Sequence, residues 1–339
     1  MTRLRFSLFG LFLVTFSGKA EQVPLPKLPD GPLEMRVAHV VNPRLPRLSR
    51  ARLYVLLAAT ARTAREHFGV ELRFEQPIVE IPIAEAFAAI PPGRVRIARE
   101  SIYDFKSGRG DPASLARSYG KAFREGGEPL AGMIAYARPH TGPLREPTFE
   151  ALGDALARLQ LERVERWRSV RALDGGPAID ASPYNEFAMW IQLGYTELPY
   201  EIVLTNQMIA SVEHLFPSVH SAMRGGYTNG VTTYSRRSAL KTAAIWSTFG
   251  FTSDDPWVAQ MRDGERYEGH EAAVLAGVAA THELGHQLFH ILHPFGAEAC
   301  VMYPVPMLAF RAWAAKLSAK DCPLGSRPEL KPGVYKFVY

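Results

Sequence analysis

Along the first quarter of the chain, hydrophobic and polar positions are arranged to predict a strand, a helix and a second strand. Met35 to Val41 is a short apolar run that reads as a strand. Ser49 to His67 follows with helical spacing, and Ser49 stands where a hydroxyl caps a helix start. Val70 to Glu75 then alternates apolar and polar residues. A parallel strand pair joined by a right-handed crossover is the expected product. Much later, Tyr200 to Thr205 (YEIVLT) and Lys241 to Thr248 (KTAAIWST) read as buried strands. The intervening RGGYTNGVTTYS, Arg224 to Ser235, mixes glycines with β-formers, which fits an irregular edge strand at a cleft or an ordinary surface hairpin. Residues 78 to about 199 are broken by proline-rich and glycine-rich turns around an amphipathic helix, Phe149 to about Trp167, that uses Leu152, Leu156 and Leu159. They read as an insertion or accessory subdomain.

Glu271 to Ala280, EAAVLAGVAA, is a run of small apolar residues suited to a helix packed inside the protein. It continues directly into THELGHQLFHILHPFGAEACVMYP, Thr281 to Pro304, where His282, Glu283 and His286 form the pattern H-E-x-x-H. Residues four apart on a helix lie one above the other, so two imidazoles at that spacing can share one tetrahedral ion. The adjacent glutamate is then placed to carry a proton for water. At about 100° per residue, His282, His286, His290 and His293 project within roughly 80° of one another. Leu284, Leu288 and Ile291 fall on the opposite side.

A straight helix would carry His293 about 16 Å along the axis from His282, too far for a shared ion. The helix therefore has to break first, and Pro294 favours a turn there. Three third ligands are open on this reading: His293 after a turn, His290 through a local distortion, and Glu298 from the following loop.

These residues resemble the metzincin metallopeptidases, whose signature H-E-x-x-H-x-x-G-x-x-H is followed by a tight turn containing methionine. The likeness is closest to the archaemetzincins, in which the third histidine is followed by Cys-x-Met. Here Cys300, Val301 and Met302 stand in a comparable place. His293 comes seven residues after His286 instead of six, and His290 stands near the position where the family's glycine bends the helix. Histidine is among the non-glycine residues enriched in left-handed backbone, so His290 can take the turn while the extra residue is absorbed as a bulge.

The resemblance implies an α/β (α+β) fold: a twisted mixed sheet with a strand-helix-strand start, a zinc-binding active-site helix and a Met-turn. It implies one Zn2+ per chain on His282, His286 and His293, with Glu283 as general base in peptide-bond hydrolysis. It also implies that Met302 floors the site and that Tyr303 lies near the substrate carbonyl. The four cysteines that hold a second zinc in the family are missing, since only Cys300 and Cys322 are present. These two are expected to pair as a disulfide in an exported protein. Two other readings accommodate the same motif: hydrolysis of a non-peptide amide, and peptide binding on an inactive scaffold, which an intact Glu283 argues against.

Export is expected from the first twenty residues, where Arg3 and Arg5 precede an apolar run from Phe6 to Phe16 and a small-residue cleavage region ends at Ala20. That run is too short to span a bilayer, which needs about twenty residues. The expectation is a secreted or periplasmic chain with no stable membrane insertion after signal removal. A proline-rich spacer at 21–32 would then lead into a catalytic domain at 33–339. Removing Arg3, Arg5 and Lys19 from 39 basic residues leaves 36 against 34 acidic ones, so the net charge falls from +5 to +2. That balance, with no basic stripe, supports no nucleic-acid partner, and the expected partner is a peptide or protein substrate. Asp254, Asp255 and Asp263 lack the spacing of a calcium loop and read as turn residues. His270 reads as a helix-start residue, while His39, His67, His140, His214 and His220 show no paired spacing.

Overall fold

The computed structural model describes residues 23–100, 111–212 and 217–324. The export segment expected at 1–20 and His214 lie outside the described residues. The chain opens with β1 (Leu33–Met35), β2 (Val37–Val41), α1 (Arg50–Phe68), β3 (Leu72–Phe74) and β4 (Val79–Pro82). Six helices follow: α2 (Ile83–Ala88), α3 (Pro92–Glu100), α4 (Pro112–Gly126), α5 (Leu130–Thr141), α6 (Phe149–Trp167) and α7 (Phe187–Gln192). Next come β5 (Ile202–Thr205), β6 (Ile209–Ala210), α8 (Val219–Met223), β7 (Tyr227–Thr228), β8 (Gly230–Tyr234) and β9 (Thr242–Ser247). The last described elements are α9 (Phe249–Thr252), α10 (Pro256–Met261), α11 (Gly269–Phe289) and α12 (Phe310–Ala314). The protein is thus a mixed α/β fold, with twelve α-helices among the described residues.

A five-stranded sheet in the order β4-β2-β5-β9-β8 organises the molecule. Its first four strands run parallel, and β8 closes one edge antiparallel to β9. The interior strands read VAHVV, IVLT and TAAIWS and are buried throughout, because helices cover both faces. Ile202, Leu204, Ala244 and Trp246 pack into the core that contains α1 and α11. The alternate residues Ala38, Val40, Val203 and Ile245 pack against α2 and α7.

The strand expected over 35–41 is divided. Arg36 interrupts it, because its backbone N–H and its guanidinium bond to the buried carboxylate of Glu201, at 2.8 Å for the backbone and 2.6 Å for Nη2. On one side of that break β1 pairs in parallel with β3 as a separate two-stranded sheet, and on the other β2 joins the main sheet. The strand-helix-strand unit therefore closes β1 on β3, while β2 lies between β4 and β5, parallel to both. Residues 78–199 thus supply β4 to the core sheet as well as helices. Within them α6 spans the expected residues, with Leu152 and Leu156 fully buried and the Thr148 hydroxyl accepting from the Ala151 N–H.

The helix that carries the motif is buried along nearly its whole length. It can be so because its small residues admit a close neighbour. The Thr60 hydroxyl of α1 reaches the Gly277 carbonyl of α11 at 3.0 Å, and the Thr281 hydroxyl also lies 3.2 Å from that carbonyl. The Cys300–Cys322 disulfide is formed. No helix among the described residues is long and apolar enough to cross a membrane.

Candidate metal centre

His282 and His286 stand one turn apart on α11, and their Nε2 atoms approach to 3.1 Å. Each ring is held from behind by a backbone carbonyl: Nδ1 of His282 lies 3.0 Å from Val301 O, and Nδ1 of His286 lies 2.6 Å from Ile291 O. A carbonyl only accepts, so each Nδ1 carries the proton and each Nε2 turns a lone pair inward. Burial, followed by the nearby His293, pushes His282 down to about 3, and burial first and then His282 push His286 well below its usual range. Both rings are neutral, as metal ligation requires.

Beyond Phe289 the helix ends on His290, whose backbone is left-handed at φ 51 and ψ 31. Its N–H caps the His286 carbonyl at 3.1 Å, and the Ile291 N–H reaches the Gly285 carbonyl at 3.4 Å. The chain is thereby turned back, and His293 stacks on His282 with ring centroids 5.2 Å apart. Its Nδ1 and backbone N–H both meet Oε1 of Glu128, at 2.5 and 3.3 Å. Its Nε2 is buried without a partner among the described residues. One nitrogen from each of His282, His286 and His293 lies within 4.8 Å of the other two. Ligands at about 2.0 Å from a shared tetrahedral ion stand about 3.3 Å apart, so this group is assembled to within about 1.5 Å of coordination spacing. The three residues fit a metal ion with nitrogen-ligand preference.

Of the three candidates for third position, His293 is the one gathered into the group. His290 serves as the helix cap, and Glu298 is exposed and paired with Lys316 at 2.7 Å. Two residues at the centre are not readable from spacing. Glu128 reaches His293 from 165 positions away and supplies the carboxylate behind it. His220, a histidine with no paired spacing in the sequence, packs edge-on against His293 with centroids 4.9 Å apart. Burial first, then the neighbouring His293 and Arg224, hold His220 well below the ordinary histidine range.

The Glu283 side chain points toward the edge of the sheet. The Thr232 hydroxyl of β8 donates to the Glu283 backbone carbonyl at 3.0 Å and lies 3.3 Å from its Oε2. A Cβ on Gly230 would stand 2.5 Å from Glu283 Oε1 and 2.6 Å from Trp246 Cε3, so the carboxyl is wedged against the start of β8 where only glycine leaves room. Burial pushes Glu283 up to about 7, against the pull of His293 and the Thr232 hydrogen bond.

Beneath the histidines runs the Cys300–Tyr303 turn. Met302 is fully buried, and its sulfur occupies the space that a Cβ on Gly285 would overlap. The residue between Leu284 and His286 is small because methionine lies directly under it. Tyr303 is also buried; its ring packs on Tyr136 at 5.6 Å, its carbonyl accepts from Trp313 Nε1 at 2.9 Å, and burial pushes its hydroxyl up to about 12. The disulfide ties this turn to Cys322, 22 positions on. Cys322→Ser is expected to cost about 3 kcal/mol through loss of that loop closure. A lowered urea midpoint, with a slope no shallower than wild type because the unlinked chain unfolds to a more open state, would establish it. Comparison with protein-family models, curated proteins and solved structures returned no match.

Proposed function

We propose that this chain is a zinc-dependent peptidase of metzincin type that acts outside the cytoplasm and holds one zinc ion with His282, His286 and His293. The observation that carries the reading is the convergence of one nitrogen each from His282, His286 and His293, two of them on the helix that also carries the buried carboxyl of Glu283, which feels His293. The donor set is all nitrogen, which suits zinc better than calcium or magnesium. Zinc held this way supplies Lewis acidity, acidifying water and polarising a carbonyl.

The chain's own groups account for the rest. Glu283 accepts a proton from the attacking water and delivers it to the leaving amine, with the Thr232 hydroxyl steering its carboxyl. Glu128 and the carbonyls of Val301 and Ile291 hold the three imidazoles in place. Strand β8 ends the sheet, and a peptide laid along it in extended form would pass Glu283, which lies against Gly230. Backbone pairing of that kind asks little of the substrate's side chains. The disulfide supports an extracytoplasmic site of action, together with the charged and apolar start of the sequence.

The test is metal content and cleavage of a peptide library by the purified protein. The expected result is one zinc per chain, with cleavage abolished by a chelator and restored by added zinc. Zinc without cleavage of any peptide would overturn the peptidase reading in favour of a non-peptide amide or a binding role. Absence of bound metal would overturn the site itself.

A further inference from the structure

His220 sits on α8, a short helix whose N-cap is Ser218. The Ser218 oxygen accepts the Ser221 N–H at 3.2 Å and lies 3.3 Å from Nε2 of His220. A hydroxyl has one proton to give and a second lone pair, so it can meet Nε2 in either tautomer; in the tautomer where Ser218 donates to Nε2, the ring's own proton sits on Nδ1. That Nδ1 is buried and meets no partner among the described residues. Buried polar groups are almost always satisfied, so a lone N–H beside a ligand site marks the place of an absent acceptor.

Four positions along the chain lies Arg224, whose guanidinium is buried and whose Nε also lacks a partner among the described residues. Its other contacts are the Val305 carbonyl and the phenols of Tyr136 and Tyr227, with no carboxylate among them. The corner beside His293 is therefore rich in donors and positive in charge. His220 does not belong to the group of nitrogens that could share the metal. Its ring packs edge-on against His293 with centroids 4.9 Å apart, so it stands at the flank of that group.

We propose that His220 donates a hydrogen bond from Nδ1 to the substrate oxygen that gains negative charge at the histidine triad, a role that rests on the hydrolase reading above. Such a donor acts on charge as it develops, where a preoriented hydrogen bond counts most. The same corner should then favour a tetrahedral oxyanion over a ligand with no second oxygen to offer.

The test uses the protein loaded with Co2+ in place of zinc and titrated with inorganic phosphate or with thiocyanate, following the visible bands of cobalt. Wild type is compared with His220→Phe, which keeps a ring without a donor, and with His220→Gln, which keeps an N–H. Phosphate affinity is expected to fall about 10- to 100-fold in His220→Phe, the range of a hydrogen bond to a charged acceptor, and to be largely retained in His220→Gln. Affinity for cobalt and for thiocyanate is expected to stay within about twofold of wild type, since neither depends on that bond. Equal phosphate affinity in all three proteins, or a parallel loss for both anions and cobalt, would overturn the proposal. Peptide cleavage by the wild type is read separately: a His220-dependent phosphate affinity without cleavage removes the peptidase reading and leaves the oxyanion site standing. Failure to take up cobalt removes both.

Discussion

Glu283→Gln is expected to lower kcat for peptide cleavage by about 10²- to 10⁴-fold, the range spanned by loss of a general base, while the zinc content stays at one per chain. The substitution is close to isosteric. It preserves the packing against Gly230 and Trp246 and leaves an amide oxygen within reach of the Thr232 hydroxyl. What it removes is the capacity to take and return a proton. The metal count is expected to hold because the ligand group consists of His282, His286 and His293, without Glu283. Zinc analysis beside steady-state kinetics on one cleaved peptide decides the matter. A variant that keeps a tenth or more of wild-type kcat would remove Glu283 from the chemistry. A variant that loses zinc would instead make the carboxyl part of the metal's support.

The parts of this centre that can be read from the sequence are those whose geometry is local. His282 and His286 come together because a helix has a fixed pitch, and the left-handed turn at His290 follows from the need to reverse the chain before His293. Strands β5 and β9 are visible as apolar runs because both faces of the sheet are covered. The position of β8 at the sheet edge fits its mixture of glycine and β-formers. What escapes reading depends on partners distant in sequence. Nothing near Arg36 announces that it will pair with Glu201 and split an apolar strand in two. Short β4, VEIP, has a single buried residue and ends in proline, so it carries little strand signal. Glu128 lies in an ordinary EGGEP turn, and His220 has no neighbour at ligand spacing. Both reach the centre only because the segment around Glu128 and the helix of His220 fold onto the loop that follows α11, at His293. A histidine with no pair in sequence acquires its role from tertiary structure alone.

The small-residue run ahead of the motif leads to the second large effect, in which two well-known tendencies oppose each other. Gly277→Ala sits inside a helix, where alanine is favoured over glycine by about 1 kcal/mol, so propensity alone calls for a more stable protein. Packing calls for the reverse. A Cβ at Gly277 would overlap the Leu56 carbonyl oxygen of α1 and stand 2.7 Å from the Ala59 Cβ. A backbone carbonyl cannot rotate away as a side chain can, so α1 and α11 would have to separate and lose the Thr60 to Gly277 hydrogen bond of 3.0 Å. Overpacking of that kind costs about 1–3 kcal/mol and can cost more against backbone, which exceeds the gain in propensity. Gly277→Ala is therefore expected to destabilise the fold by about 2 kcal/mol net and Gly277→Val by more, read as a fall in the urea midpoint. Gly126, at the end of α4, would carry a Cβ with nothing within 4 Å of it and serves as the control. Its replacement by alanine is expected to leave the midpoint unchanged or raise it. If Gly277→Ala also raises it, the close approach of the two helices is not what positions the metal-binding end of α11. If the midpoint falls and zinc affinity falls with it, the contact between α1 and α11 supports the centre as well as the fold, because His282 lies little more than one turn beyond the glycine.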